Sequence, residues 1–142
     1  MASFEEIMNK PASEIQPPPA FPVGTYHCII DGPPEFVKSS QKGTDGVRFR
    51  YRIMSPLEDV DQAAYMEGQV AGKTIQDDVW VTDGSAWRLK DLLVENLGIS
   101  ENLTMKQQLM EAPGKSVLVK LKHQISDDGK RVFHRVESTA RA

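Results

Sequence analysis

The stretch "VRFRYRI", residues 47 to 53, limits what this chain can fold into more than any other segment. Arg48, Arg50 and Arg52 occupy alternate positions, with Phe49 and Tyr51 between them and Val47 and Ile53 at the ends. A strand points successive side chains to opposite faces. One face of this strand is therefore a row of guanidinium groups and the other is apolar.

The same period of two recurs along the chain. "TYHCIID" sets Tyr26, Cys28 and Ile30 against His27, Ile29 and Asp31. "GPP" at 32 to 34 bends or interrupts it, and "EFVKSS" continues it as an irregular or edge strand. "SSQKGTDG" is a turn-rich loop whose Asp45-Gly46 pair signals a hairpin into the arginine strand, which stops before Ser55-Pro56. A polar, acidic connection follows, with a helical turn around Asp61 to Met66. "KTIQDDVWVT" is the third strand, with Ile75, Val79 and Val81 on one face and Gln76, Asp78 and Trp80 on the other. The period then changes. "DGSAWRLKDLLVENLG" places Leu89, Leu92, Leu93 and Leu97 at helical spacing, with Asp83 or Ser85 to cap it and Gly98 to stop it. "SENLTMKQQLMEAPG" reads as a shorter second helix, and "SVLVKLKHQI" and "RVFHRVEST" as two strands joined by the turn "SDDGK". Residues 1 to 22 form an extended arm with a short helix near Phe4 to Asn9. Pro17, Pro18, Pro19 and Pro22 remove amide donors there and favour polyproline geometry. Residues 23 to 142 are the domain.

Composition sets the outer bounds. A chain of 142 residues, 39% hydrophobic and 26% charged, is an ordinary soluble domain with one modest core. No apolar run approaches the roughly 20 residues of a membrane span, and "MASFEEIMNK" lacks the basic start and apolar centre of a signal peptide. Cys28 is the only cysteine, which excludes an intrachain disulfide and a Cys-rich metal site, and it reads as a buried hydrophobe. A cytoplasmic protein without a membrane partner is the expectation, in the host cytoplasm if the chain is phage-encoded. The net charge of -3 argues against a generic basic nucleic-acid binder. The distribution does not. Residues 57 to 72 hold four acids and no base, whereas 115 to 135 hold six bases against Asp127 and Asp128.

Three strands, a helical segment and two more strands make a mainly β chain. This is the order of the OB-fold, a five-stranded, partly open Greek-key barrel with its helix between strands 3 and 4. The leucine stripe would plug the open end of the barrel. "FPVGTYHCIIDGPPEFVKSSQKGTDGVRFRYRIMSP", "GKTIQDDVWVTDGSAWRLKDLLVENLGI" and "GKSVLVKLKHQISDDGKRVFHRVEST", together about residues 21 to 139, resemble small phage-encoded proteins of recombination and replication gene clusters. The resemblance lies in hydrophobic spacing and turn residues. It implies an OB-fold protein that binds single-stranded DNA, forms a homodimer or higher oligomer with the arm as a swapped element, and meets phage replication or recombination proteins. It departs at "ESTARA", which has no acidic cluster like the one through which bacterial single-stranded-DNA-binding proteins recruit partners.

Single-strand binders join a basic groove that tracks phosphates to aromatic faces that stack on bases, at roughly 1–3 kcal/mol per base. The candidates are Arg48, Arg50 and Arg52, where arginine offers planar stacking and bidentate contacts that lysine lacks. Trp80 lies outside the apolar stripe of its strand. Lys120 and Lys122 share one face of the final hairpin, and Arg131, Phe133 and Arg135 interleave base and aromatic on another. Lys38 and Lys42 sit in the loop before the arginine strand. Trp87, at the start of the leucine-rich helix, reads as a packing residue. No catalytic constellation emerges: Asp77 and Asp78 point to opposite faces, and the three histidines lack zinc spacing. "GKS" at 114 to 116 has Leu109 where a Walker loop needs its first glycine. The expectation is a non-enzymatic, sequence-nonspecific protector of single-stranded DNA in phage replication or recombination, with no metal and no cofactor. The rival is a phage structural or interaction module whose basic face docks an acidic partner.

Overall fold

The computed structural model describes residues 3–14 and 20–142, so the prolines at 17 to 19 and their expected geometry lie outside the described residues. Six strands form one antiparallel sheet: β1 (Gly24–Ile30), β2 (Glu35–Lys38), β3 (Asp45–Pro56), β4 (Thr74–Trp80), β5 (Ser116–Ile125) and β6 (Val132–Arg141). Their order is β2-β3-β1-β5-β6, with β4 on the other edge of β3. β2 pairs with residues 45–48 of β3 and β1 with residues 51–56, while β4 runs along residues 46–52. A strand has two edges, so β1 and β2 lie end to end on the same one. They are a single line broken at Gly32, Pro33 and Pro34, where two prolines supply no ladder donors.

The mainly β reading therefore holds, but the sheet is open. β4 and β6 are its ends, and no ladder joins them among the described residues. The helix that follows β4 lies beside this gap. Residues Ala86–Lys90 (α3) run on into a π-helical segment, Asp91–Asn96, which is held against β6. Asn96 Nδ2 donates to Thr139 Oγ1 at 2.8 Å, and Arg141 Nε donates to the Glu95 carbonyl at 3.0 Å. In the π-helix the amide reaches five residues back, as Leu97 N does to Leu92 O at 3.0 Å. The wider turn lets Leu92 and Leu93 both point inward beside Leu89 and Leu97, and all four are buried.

The core is built by alternation. Tyr26, Cys28 and Ile30 of β1, Phe49, Tyr51 and Ile53 of β3, and Val117, Val119 and Leu121 of β5 are almost fully buried. Each large one contributes roughly 1.5–3 kcal/mol by leaving water. Burial pushes the Cys28 thiol up to about 12, so this cysteine acts as a small hydrophobe. The acidic connection contains α2 (Gln62–Glu67), capped by Asp61 Oδ1 accepting from Ala64 N at 3.1 Å. The second predicted helix is α4 (Met105–Glu111), opened by a capping box between Thr104 and Gln107.

In the arm, the short helix expected near Phe4 is α1 (Phe4–Met8), and Phe21 is fastened to the β5–β6 hairpin by two histidines. The Phe21 amide donates to His134 Nδ1 at 3.1 Å, and His123 Nε2 donates to the Phe21 carbonyl at 2.7 Å. The Phe21 ring stacks on His134 at 4.2 Å and 5°. Burial, and secondarily His123, lowers the His134 pKa. The neutral ring is thus the folded form, and its contribution is present above about 6.5 and lost as pH falls below that. A proton on Nδ1 also removes the acceptor. We expect the hydrogen-exchange protection of the Phe21 amide to drop between pH 7 and pH 5 in the native protein. The drop should vanish in His134→Phe, which keeps the stack but never accepts. Equal protection across that range would show that the clamp does not hold the arm.

Candidate nucleic-acid interface

On the outer face of β3 the arginines are not free. Arg48 grips Asp78 of β4 through Nε and Nη2 at 2.8 and 3.2 Å. Arg50 grips Glu35 of β2 through Nη1 and Nη2 at 2.7 and 3.4 Å, and Arg52 Nη2 reaches Asp31 at 2.8 Å. The paired guanidinium of Arg50 holds the Glu35 carboxyl below its ordinary value. Three bases meet three acids, so the face carries no net charge from this ladder. Its role in the fold is to tie β2, the β1–β2 junction and β4 to β3 through cross-strand pairs.

Two other candidates are also paired: Lys38 with Asp45 at 3.6 Å and Lys120 with Glu137 at 3.7 Å. Lys42, Lys122, Arg131 and Arg135 take part in no ion pair among the described residues. The last three lie on or beside the β5–β6 hairpin, where Arg135 stands opposite Lys122 and donates to Gln124 Oε1 at 3.1 Å. Of the candidate cations, those without an ion pair therefore sit mainly on this hairpin, whose turn also carries Asp127 and Asp128, rather than on β3.

The open seam between β4 and β6 forms a cleft of about 410 Å³. Trp80 from β4, Trp87 and Arg88 from α3, and Arg135 from β6 line it, together with the carboxylates of Asp77 and Asp91 and those of Asp78 and Glu137, which are already paired with Arg48 and Lys120. Trp80 faces outward as expected and is 38% exposed. Its ring lies over Gly46, the residue opposite it in register, where a Cβ would come within 2.5 Å of Trp80 Cε3. Gly46→Ala should lift the ring, shift its emission to the red and cost about 1–3 kcal/mol by chemical denaturation. An unchanged spectrum would mean that the ring does not rest on this glycine.

Trp87 corrects the sequence reading. It is 61% exposed, with the Arg88 guanidinium 5.5 Å from its ring centroid, and it packs no core. The signal was present: Trp87 stands two residues before Leu89, about 200° around a helix at 3.6 residues per turn, and so opposite the leucine stripe. Phe133 is 48% exposed but lines a different hollow, of about 950 Å³, with Phe21, Val132 and His134. The structure thus joins Trp80 and Arg135 in one cleft, and leaves Phe133, Lys42 and the arginine ladder outside it.

Two further groups at this cleft were passed over. Asp77 follows the inward parity of Ile75 and Val79, is partly buried, and lines the cleft. Burial, and secondarily Asp78, pushes its carboxyl up to about 6, against the pull of Arg135. Tyr51, fully buried, lines the same cleft, and its hydroxyl makes no hydrogen bond among the described residues. A costly carboxylate and an unsatisfied hydroxyl in a cleft are the kind of expense that folds carry at functional sites. No family model and no curated protein matches the chain.

Proposed function

We propose that this protein binds single-stranded DNA through the seam cleft and the β5–β6 hairpin, as a non-enzymatic protein of phage replication or recombination. The observation that carries the reading is the convergence of Trp80, Trp87, Arg88 and Arg135 on one cleft, next to a hairpin with unpaired Lys122 and Arg131. Aromatic faces take bases and the flanking cations take phosphates. The strand order supports an OB-type Greek-key barrel: counting β1 and β2 as one line, the first strand pairs with the second and the fourth. The barrel would then be open between its third and fifth strands, which is where the cleft lies.

Trp80 and Trp87 are the only two tryptophans, so intrinsic fluorescence reads this site directly. Oligo-dT of about 30 nucleotides should quench it, with affinity that falls steeply as salt rises because counterions are released, and the matching duplex should bind far more weakly. Absence of quenching and of binding at low salt would overturn the reading. The second reading, an interaction module, draws on the exposed Ile125, Val132 and Phe133 of the hairpin. It would be favoured if the hairpin captured an acidic protein partner while DNA bound nowhere.

A further inference from the structure

We infer that the floor of the seam cleft is a guanine-selective base pocket, with Asp77 and Tyr51 reading the Watson–Crick edge. The inference rests on the proposed nucleic-acid role of the cleft and adds a base preference to it. The argument is one of complementarity. Asp77 offers two carboxylate oxygens, which accept, on the inner side of β4. Tyr51 offers a hydroxyl that burial, and secondarily Asp77, keeps protonated, so it is a donor without a partner. The floor therefore presents two acceptors, with one donor buried behind it that a seated base must uncover.

Guanine alone among the four bases shows the matching edge, with N1–H and N2–H₂ donating side by side and O6 accepting next to them. Thymine has a single N–H between two carbonyls, one of which would face the carboxylate. Adenine and cytosine each set a bare ring nitrogen against it. The cleft volume, about 410 Å³, lies in the range of small-ligand sites. Arg88 and Arg135 stand at the same cleft to meet the phosphate, and Trp87 to meet the ring. The Tyr51 hydroxyl contributes nothing visible to the fold, so a ligand atom is the partner that explains it.

The test measures tryptophan quenching and anisotropy with dT oligonucleotides of about 12 nucleotides carrying one central dG, dA, dC or dT, beside free dGMP and dTMP. The dG oligonucleotide should bind about tenfold more tightly than all-dT, the discrimination of one good bidentate contact. Asp77→Asn replaces one acceptor by a donor, so the guanine preference should vanish and the dA oligonucleotide should gain. Tyr51→Phe should lose part of the preference while the fold is at least as stable as before. If all-dT and dG oligonucleotides bind equally, the base pocket is wrong and the single-strand reading stands. If the preference survives both substitutions, Asp77 and Tyr51 do not read the base. If dGMP quenches fluorescence while no oligonucleotide binds, the pocket serves a free guanine nucleotide and the single-strand reading falls. If neither binds, both fall together.

Discussion

Asp77→Asn should make the protein more stable at pH 8, by about 3 kcal/mol, and should flatten its stability profile between pH 4 and pH 6. The native carboxyl has moved from 3.8 to about 6, which at 1.36 kcal/mol per pH unit corresponds to about 3 kcal/mol. The sign follows from the raised value. The folded state favours the protonated acid, so Asp77 contributes fully below about 3.8, and that contribution is lost as pH rises through 6. Asp78 on the same strand, Arg135 and Glu137 of β6, Arg88 and Asp91 of the helical segment and Tyr51 of β3 are the ionisable groups around this cleft. Among them only Asp78 and Arg135 shift the acid noticeably after burial itself. Asparagine keeps the shape and removes the charge. Urea midpoints across pH 4 to 8 for both proteins check this directly. A variant no more stable than the parent at pH 8 would mean that Asp77 is better solvated than its place in the cleft indicates. A gain at pH 8, together with the loss of guanine preference, would mark Asp77 as a residue kept for binding at the expense of stability.

The second large effect separates the two arginine-bearing surfaces. Trp87→Ala and Arg135→Ala should each weaken binding to oligo-dT about 10- to 100-fold, the loss of one stacked base or one charged contact. Their stability should barely change, because both side chains are exposed. Arg50→Ala should leave affinity within about twofold, since its guanidinium is already engaged by Glu35 at 2.7 Å. Salt titrations sharpen the contrast. Losing Arg135 should reduce the slope of log affinity against log salt by close to one, whereas losing Arg50 should not. The opposite ranking, with Arg50 dominant and Arg135 silent, would return the binding face to β3 and empty the cleft of its role.

Within single elements the sequence was a reliable guide. The parity of Val47 to Ile53 put Phe49 and Tyr51 in the core and the arginines outside, and the spacing of Leu89 to Leu97 gave a buried helical stripe. Asp61 and Thr104 cap their helices, whereas Ser85, one of the two caps expected for the leucine-rich helix, stands at its N-cap without a side-chain cap bond and donates instead to the Trp80 carbonyl. The break at Gly32-Pro33-Pro34 was legible as well, because proline's missing amide acts wherever the residue stands. The same periods put Asp77 on the inner side of β4 and Trp87 opposite the leucine stripe. Each of these rests on a repeat of two or 3.6 residues, which the chain imposes on itself.

What the arginines do was decided elsewhere. Arg48 and Asp78 are 30 residues apart, Arg52 and Asp31 are 21 apart, and Arg50 and Glu35 are 15 apart. Their encounter depends on which strands become neighbours and in what register, which no local pattern encodes. The same holds for the cleft. It exists because β4 and β6 end the sheet without pairing, and because a π-helical segment bonded to Thr139 and Arg141 lies against β6 beside the gap. Alternation is a property of one strand, and so it could be read from residues in order. Charge neutralisation and cleft formation are properties of strand neighbours, and only the folded chain brings those neighbours within reach.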